Sequence, residues 1–317
     1  MQAIYLDYDS VSYSDLDPAP LLAVLPELTF VDTPPPEKVP SLVRDAEILL
    51  VNKSLLTRAV LAAAPRLRLI VCSGTGTDNV DVVAARERGI AVCNVVNYCT
   101  ASVAQHTWSL ILCLTQRLFE YRRASVDGSW ASGVESRVRV YEIRELAGRT
   151  LGIIGWGNLG RAVAQMAQAF GMKVVIANRA GAKPAADRMD LRELLKIADV
   201  VSLHCPLTEA TRGMIGAAEL ALMKRDAVLI NTARGGLIDA PALAHALREG
   251  LLGGAGIDVL AREPPTDGNP LLDPDIPNLI VTPHVAWGAR EARQRCLQEM
   301  ATNIREFLGG GRRMRVD

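Results

Sequence analysis

The sequence predicts an α/β protein built on two parallel sheets, each covered by helices. Three observations carry this. Short β-branched runs alternate with helical patterns along most of the chain. The chain has 317 residues, a length that usually forms two domains. Hydrophobic residues make up 49% and charged residues 22%, the proportions of a globular protein in water.

In the first hundred residues the expected strands are Ala3–Leu6, Leu28–Val31, Ile48–Val51 and Leu69–Cys72. Helical stretches fall between them, among them Pro40–Arg44 and Leu56–Ala64. A long helix is expected from Thr100 to about Arg123. The polar stretch Val126–Glu145 reads as an arm or connector. A second α/β run then supplies strands at Leu151–Ile154, Lys173–Ile176, Val200–Leu203, Ala227–Ile230, Gly254–Asp258 and Leu279–Val281. Its helices fit at Leu159–Phe170, Leu191–Ile197, Ala240–Glu249 and Ala289–Leu308. The last helix is too small to be a domain, so it is expected to pack back on the first. The organisation read from this is one discontinuous domain, 1–98 with 289–317, and a second, 99–288, that includes a dimerisation helix and arm over 99–147. The tail from Gly309 to Arg313 is expected to be solvated and flexible.

Composition excludes several functions. The chain balances 35 basic against 35 acidic side chains, which argues against a nucleic acid or an acidic membrane surface as the main partner. Its six cysteines form no Cys-x-x-Cys pair, so no metal site is expected, and most lie in apolar runs as reduced cysteines do. MQAIYLDYDS lacks the pattern of a signal peptide, and the longest apolar segment, near Ser109–Leu114, is too short to span a bilayer. A cytoplasmic protein is expected.

The strand Leu151–Ile154 runs into Gly155-Trp156-Gly157-Asn158-Leu159-Gly160 and then a helix. This is the Gly-x-Gly-x-x-Gly pattern in the strand–turn–helix context that gives it meaning. Gly155 permits the tight turn, Gly157 lets backbone approach a pyrophosphate, and Gly160 lets helix and strand pack closely. The helix N-terminus offers N–H groups and a partial positive charge to phosphates. The sequence therefore reads as two Rossmann-like domains, one flavodoxin-like and one dinucleotide-binding, with a cleft between them. About 20 residues further on, an acidic residue would grip the ribose 2′-hydroxyl of NAD. Here Asn178 and Arg179 stand instead. A neutral amide does not repel a 2′-phosphate and an arginine can pair with one, so NAD and NADP both remain open.

Three further motifs sit just beyond expected strands, on the edge where open α/β sheets bind ligands. They are Asn231-Thr232-Ala233-Arg234-Gly235-Gly236, Asp258-Val259-Leu260-Ala261-Arg262-Glu263-Pro264, and Thr282-Pro283-His284. Together they supply an arginine, a carboxylate and an imidazole. Reducing a 2-keto acid needs these types. A guanidinium grips the substrate carboxylate bidentately. A histidine supplies the proton that the carbonyl oxygen takes up as hydride arrives. A neighbouring carboxylate orients the imidazole and favours its protonated form. Each residue also has a bland alternative: Arg234 in a surface ion pair, Glu263 capping Pro264-Pro265, His284 as a buried hydrogen-bonded histidine. His106 and His245 read as structural, His204 as packing or an adenine-side neighbour. Asp78 and Asp81 read as a turn and a helix N-cap, and Asp239 as an N-cap. Cys205 lacks neighbours that would make it a nucleophile.

With these motifs, Gly74-Thr75-Gly76-Thr77-Asp78-Asn79-Val80-Asp81 and His204-Cys205-Pro206-Leu207-Thr208, the chain closely resembles the D-isomer-specific 2-hydroxyacid dehydrogenase family over nearly its whole length. Thr282–Trp287, Arg86–Asn94 and Val103–Thr107 resemble its glycerate dehydrogenase (hydroxypyruvate reductase) branch. The resemblance implies an NAD(P)-dependent oxidoreductase that interconverts a small 2-keto acid and its D-2-hydroxy acid, acting as a homodimer. It implies that Arg234 binds the substrate carboxylate and carbonyl, that His284 is the general acid, and that Glu263 pairs with it. The amides of Gly74, Thr75 and Gly76 would help hold the carboxylate, with Lys53 a candidate for the same cleft. On the cofactor side it implies Asn158 and Leu159 at the pyrophosphate, Cys205 and Pro206 along the cofactor path, backbone contacts from Thr232 and Ala233, and Asp258 at the nicotinamide carboxamide. A phosphite dehydrogenase and an NAD(H)-sensing scaffold stay open as alternatives.

Overall fold

The computed structural model describes residues 1–131, 141–179, 181, 183, 185–266 and 268–317. The chain forms two compact units, one of residues 1–100 with 287–317 and one of residues 101–286.

In the first unit the strands are β1 (Ala3–Tyr5), β2 (Thr29–Phe30), β3 (Ile48–Val51), β4 (Leu69–Cys72) and β5 (Ala91–Cys93). All pair in parallel, in the order β2-β1-β3-β4-β5. Strand side chains alternate between faces, and here both faces are buried. Tyr5, Leu50 and Val71 enter one core, while Ile4, Leu49 and Ile70 enter the other. That is why these strands are apolar without alternation. The helices are α1 (Ala19–Leu22), α2 (Val39–Leu42), α3 (Arg58–Ala62) and α4 (Val82–Glu87), and the returning helix Arg290–Leu308 completes the unit. Asp81 caps α4 through the Ala84 N–H at 2.8 Å. The returning helix buries Cys296, Leu297, Met300 and Ile304 against the Tyr5 face. Its Arg293 is buried and forked onto Asp15 at 2.6 and 2.8 Å.

In the second unit come α5 (Thr100–Thr115), α6 (Leu118–Val126), β6 (Thr150–Ile154), α7 (Asn158–Ala169), β7 (Lys173–Ile176), α8 (Leu191–Ile197), β8 (Val200–Leu203), α9 (Ala217–Leu220), β9 (Val228–Asn231), α10 (Ala240–Arg248), β10 (Gly254–Ile257) and β11 (Leu279–Val281). The returning helix of the first unit is α11. The second sheet is also parallel, in the order β11-β10-β9-β8-β6-β7. The chain leaves β6 for β7 on one side and returns to β8 on the other, so the order reverses between β6 and β8. Such a switch point opens a crevice at the strand C-termini. Trp108 and Ile111 of α5 and Val163 of α7 cover one face, and Leu194, Leu243 and Leu247 cover the other. Asp239 caps α10 through the Ala242 N–H.

The structure departs from the sequence reading in three places. The long helix breaks at Arg117, which takes a left-handed conformation (φ 54°) while its guanidinium bonds Glu120 and Asn278. Strand β5 was not expected. The tail is held by hydrogen bonds: Gly311 N–H bonds Glu306 O at 2.7 Å, Arg313 bonds Glu299 and Asn303, and further on Val316 N–H bonds Val92 O at 2.9 Å. Much of the expected arm, residues 132–140, lies outside the described residues. Its return is held where Arg144 N–H bonds Thr115 O and Tyr121 Oη bonds Tyr141 O. Among the described residues no helix is long and apolar enough to cross a membrane, and no group of His, Cys, Asp and Glu is placed to hold a metal ion.

The Arg293 hydrogen bonds hold the Asp15 carboxyl at about 2, below its ordinary 3.8. A carboxylate depressed on folding stabilises the folded state above its unfolded pKa and loses that effect as pH falls through its folded pKa. Asp15→Asn should therefore be less stable than the parent near neutrality, with the gap closing between about pH 4 and 2. Urea unfolding midpoints of both proteins across that range test this; a gap independent of pH would refute it.

Candidate active site

The glycine loop follows β6 at the switch point. Gly155 has φ +106°, a conformation that a side chain resists. A Cβ on it would also lie 2.5 Å from the backbone of His204 and Cys205, which follow β8. The two loops flanking the switch point thus meet backbone to backbone. A Cβ on Gly160 would lie 2.1 Å from Gly155 O, so the first turn of α7 sits directly on the loop. A Cβ on Gly157 would meet no atom within 4 Å, and Gly157 and Asn158 are exposed. Two glycines therefore serve packing, and the third presents bare backbone at a helix N-terminus. That arrangement fits a dinucleotide pyrophosphate. Leu159 is half-buried beside it.

Asn178 stands one residue past the end of β7's short continuation, its N–H bonded to Met189 O at 2.8 Å. Its Oδ1 accepts the Ala185 N–H at 3.0 Å, which leaves the side-chain NH2 as the donor toward a ligand. Arg179 is exposed. After β8, His204 bonds Ser202 Oγ through Nε2 at 2.9 Å, and burial lowers it to about 4, so it stays neutral near pH 7. Burial pushes the Cys205 thiol up, consistent with a residue that packs rather than attacks. Pro206 is exposed on the same loop.

The acid–base set lies at the ends of β9, β10 and β11. Buried Asn231 shapes the first turn: its Oδ1 accepts the Ala233 N–H at 3.0 Å and its Nδ2 donates to Arg234 O at 2.9 Å. This presents Arg234 half-buried, with Nη1 donating to Ala233 O at 2.8 Å. Thr232 Oγ1 is braced by Thr107 Oγ1 of α5 at 3.0 Å. A Cβ on Gly235 would lie 2.0 Å from the Leu260 carbonyl carbon, so the Arg234 turn presses on the backbone of the next loop. In that loop Glu263 Oε1 accepts the Leu260 N–H at 2.8 Å and Oε2 meets His284 Nδ1 at 2.5 Å. An ionised carboxylate only accepts, so Nδ1 carries the hydrogen and Nε2 faces away from the pair. Strands lie about 4.8 Å apart, which places the ends of β9 and β11 about 10 Å apart, within reach of one small substrate.

Asp258 is expected at the cofactor carboxamide. Its carboxylate is engaged by the loop that carries His284, accepting Thr282 Oγ1 at 2.6 Å, Val285 N–H at 2.9 Å and Ala286 N–H at 3.0 Å. Its backbone O accepts the His284 N–H at 2.7 Å. His106 of α5 joins this group, 3.0 Å from Thr282 Oγ1 and 3.5 Å from Asp258. The positioning roles of Asn231 and Thr282 were missed from sequence, whereas His106 was read there as structural. Only Asn231 carried a signal, as an Asx-turn former at a strand end.

The remaining expected residues lie in the first unit. Lys53 follows β3 and Gly74-Thr75-Gly76 follow β4, neighbouring strands whose loops are joined where Asn79 Nδ2 bonds Ser54 O at 3.1 Å. Buried Asp7 accepts the N–H groups of Asn52 and Lys53 at 2.9 Å and that of Ser54. Lys53 and Thr75 are exposed on this edge.

The fold and these loops define a dinucleotide-dependent oxidoreductase with an arginine–carboxylate–histidine set. Residues 108–286 match the model of the D-isomer specific 2-hydroxyacid dehydrogenase, NAD binding domain. The chain is 44% identical to glycerate dehydrogenase of Methylorubrum extorquens over 275 residues, covering 87% of each chain. A crystal structure of a Thermus thermophilus protein superposes with a TM-score of 0.87 at 35% identity, covering both chains fully. An acyclic imino acid reductase in complex with NADPH and D-Arg superposes at 0.84 with 28% identity, again over both chains. The chain belongs to the D-isomer-specific 2-hydroxyacid dehydrogenase family and is an NAD(P)-dependent oxidoreductase.

The glycine geometry separates two effects. Gly160→Ala should destabilise the fold by about 1–3 kcal/mol, since backbone must move to admit the methyl. Gly157→Ala should keep the parent melting temperature and weaken cofactor binding about tenfold or more, because its methyl points where phosphate approaches. Thermal melts beside fluorescence titration of the reduced cofactor test this; unchanged affinity in Gly157→Ala would refute it.

Proposed function

We propose that the protein reduces a small 2-keto acid of the hydroxypyruvate or glyoxylate type to its D-2-hydroxy acid, reversibly. The observation that carries this is the His284–Glu263 pair, anchored by the Leu260 N–H, with the turn that bears Arg234 packed on the same loop at Gly235. The similarity to glycerate dehydrogenase supports the substrate class.

Bound nicotinamide cofactor supplies the hydride. The glycine loop residues Gly155, Gly157, Asn158, Leu159 and Gly160 hold its pyrophosphate, with Asn178 and Arg179 at the ribose. Cys205, Pro206, Thr232, Ala233 and Asp258 line its course. Arg234 forks onto the substrate carboxylate and carbonyl, and the Gly74–Gly76 amides and Lys53 add to the grip on the carboxylate. Negative charge grows on the carbonyl oxygen as the carbon is reduced, and His284 protonates it from Nε2. Glu263 fixes the ring and compensates its charge. In the reverse direction His284 takes the hydroxyl proton.

Both NAD(H) and NADP(H) suit the Asn178–Arg179 site. The strand end carries no carboxylate to repel a 2′-phosphate, and the Asn178 amide presents a donor. The similar imino acid reductase binds NADPH.

Glyoxylate, hydroxypyruvate and pyruvate, each with NADH and NADPH, form the direct assay at the reduced-nicotinamide absorbance band. Consumption is expected with at least one keto acid. His284→Ala should lower kcat by about 10²–10⁴-fold while cofactor binding stays near the parent level. Parent-level turnover in that variant would remove His284 from the chemistry.

The protein is further proposed to act as a homodimer. Leu118, Phe119, Val126, Trp130, Tyr141 and Ile143 are all exposed within one stretch of the second unit. Scattered apolar side chains need no cover, but a group this dense does. Sedimentation equilibrium should return twice the 34.2 kDa chain mass, and a monomer at micromolar concentration would reject the dimer.

A further inference from the structure

The segment Arg313–Asp317 lies along β5, and its hydrogen bonds continue inward to the loop after β4. Val92 N–H bonds Asp317 Oδ1 at 2.9 Å, Val316 N–H bonds Val92 O at 2.9 Å, and Cys93 Sγ donates to Arg313 O at 3.3 Å. Arg313 forks its guanidinium between Glu299 and Asn303 Oδ1, both on α11. Asn303 is buried at 1% exposure and donates from Nδ2 to Asn94 O at 2.9 Å. Asn94, also buried, takes its backbone N–H to Met314 O at 3.2 Å and donates from Nδ2 to Thr75 O at 2.9 Å. The next residue closes the clamp. Val95 N–H bonds Gly74 O at 2.9 Å, and Thr75 Oγ1 donates to Val95 O at 2.9 Å.

This chain of bonds has a fixed direction. A guanidinium only donates, so Asn303 must turn its oxygen toward Arg313. Its amide nitrogen then faces Asn94 O, an acceptor. Asn94 in turn can meet the Thr75 carbonyl only with its own nitrogen. Each link is buried or half-buried, where an amide left without a partner costs about 1–3 kcal/mol. Removing the cation at the outer end therefore does not merely free a surface arginine. It leaves the Asn303 oxygen unsatisfied and removes one of the two constraints on which way that amide points, the other being its bond to Asn94 O.

We propose that segment 313–317 is a strap that sets the position of the Gly74–Gly76 loop, with Arg313, Asn303 and Asn94 as positioning residues for substrate binding. This rests on the reading that the Gly74–Gly76 amides hold the substrate carboxylate. That carboxylate keeps its charge throughout the reaction, so its grip is equal in ground and transition states. Loosening it raises KM and leaves kcat in place.

Two variants cut the strap at different links. Arg313→Ala removes the cation. Asn303→Asp keeps an acceptor for Arg313 but has no N–H to give Asn94. Each should raise the keto-acid KM by about tenfold, short of the 10²-fold that misplacing a reacting group by 1 Å can cost. Both kcat and cofactor affinity should stay within about twofold of the parent. Amide exchange at Val95, whose N–H holds Gly74 O, should quicken in both variants. A third variant, Thr75→Pro, deletes one loop N–H and tests the loop itself. If Thr75→Pro raises KM and the strap variants do not, the strap is refuted and the carboxylate site stands. If Thr75→Pro leaves KM unchanged, the carboxylate site is refuted and the proposed role falls with it. Unchanged exchange at Val95 overturns the strap whatever the kinetics show.

Discussion

The acid–base set depends on one close approach: the backbone at Gly235 lies against the backbone of Leu260 and Ala261, where a Cβ would come to 2.0 Å. No side chain fits there, so the turn carrying Arg234 packs directly on the loop carrying Glu263. Glu263 reaches back to the Leu260 N–H within the same loop, which transmits the contact to the carboxylate. His284 is then set from two sides, by Glu263 at its ring and by Asp258 O at its own N–H. A guanidinium and an imidazole borne by strands with another strand between them would otherwise have the freedom of two surface loops. Here they inherit the rigidity of the sheet, which is what a site of sub-ångström tolerance requires.

The same device recurs at the cofactor loop. Gly155 and Gly160 are needed because backbone crosses backbone, and Gly157 because backbone must stay bare. The motif is thus two packing constraints and one recognition constraint written in the same residue type. Sequence alone shows three equivalent letters. The division of labour follows from what lies across from each one, and that is set by the switch between β6 and β8.

Most of this architecture was legible because the parallel sheets are buried on both faces. Runs such as Ile48–Val51 and Leu69–Cys72 are apolar at every position and read as core strands. The residues proposed for the chemistry were picked out because strand ends in open α/β sheets bind ligands, and Arg234, Glu263 and His284 each follow one. What escaped was decided by tertiary contacts. The three residues of β5 carry too little pattern to stand out beside α4. The helix break at Arg117 comes from a side chain that reaches Asn278, more than 150 positions away. The tail is glycine- and arginine-rich, a composition that reads as solvated, yet Arg313 and Arg315 find buried or acidic partners. Composition reports what a segment costs to order and says nothing of the partners waiting for it.

The carboxylates Asp7 and Asp258 show why loops at strand ends can be both irregular and rigid. A loop leaving a parallel strand exposes successive N–H groups that no neighbouring strand can take. An amide side chain offers one acceptor atom; an ionised carboxylate offers two, with room for about four hydrogen bonds. Asp7 uses this on the N–H groups of Asn52, Lys53 and Ser54, and Asp258 on those of Val285 and Ala286 and on the Thr282 hydroxyl. Burial works against the charge, pushing the Asp7 carboxyl above its ordinary range even with these N–H groups gathered around it. The arrangement persists because neutralising the group would forfeit acceptor capacity on which several amides depend at once. A buried charge is thereby converted into loop geometry, in one unit behind Lys53 and in the other behind His284.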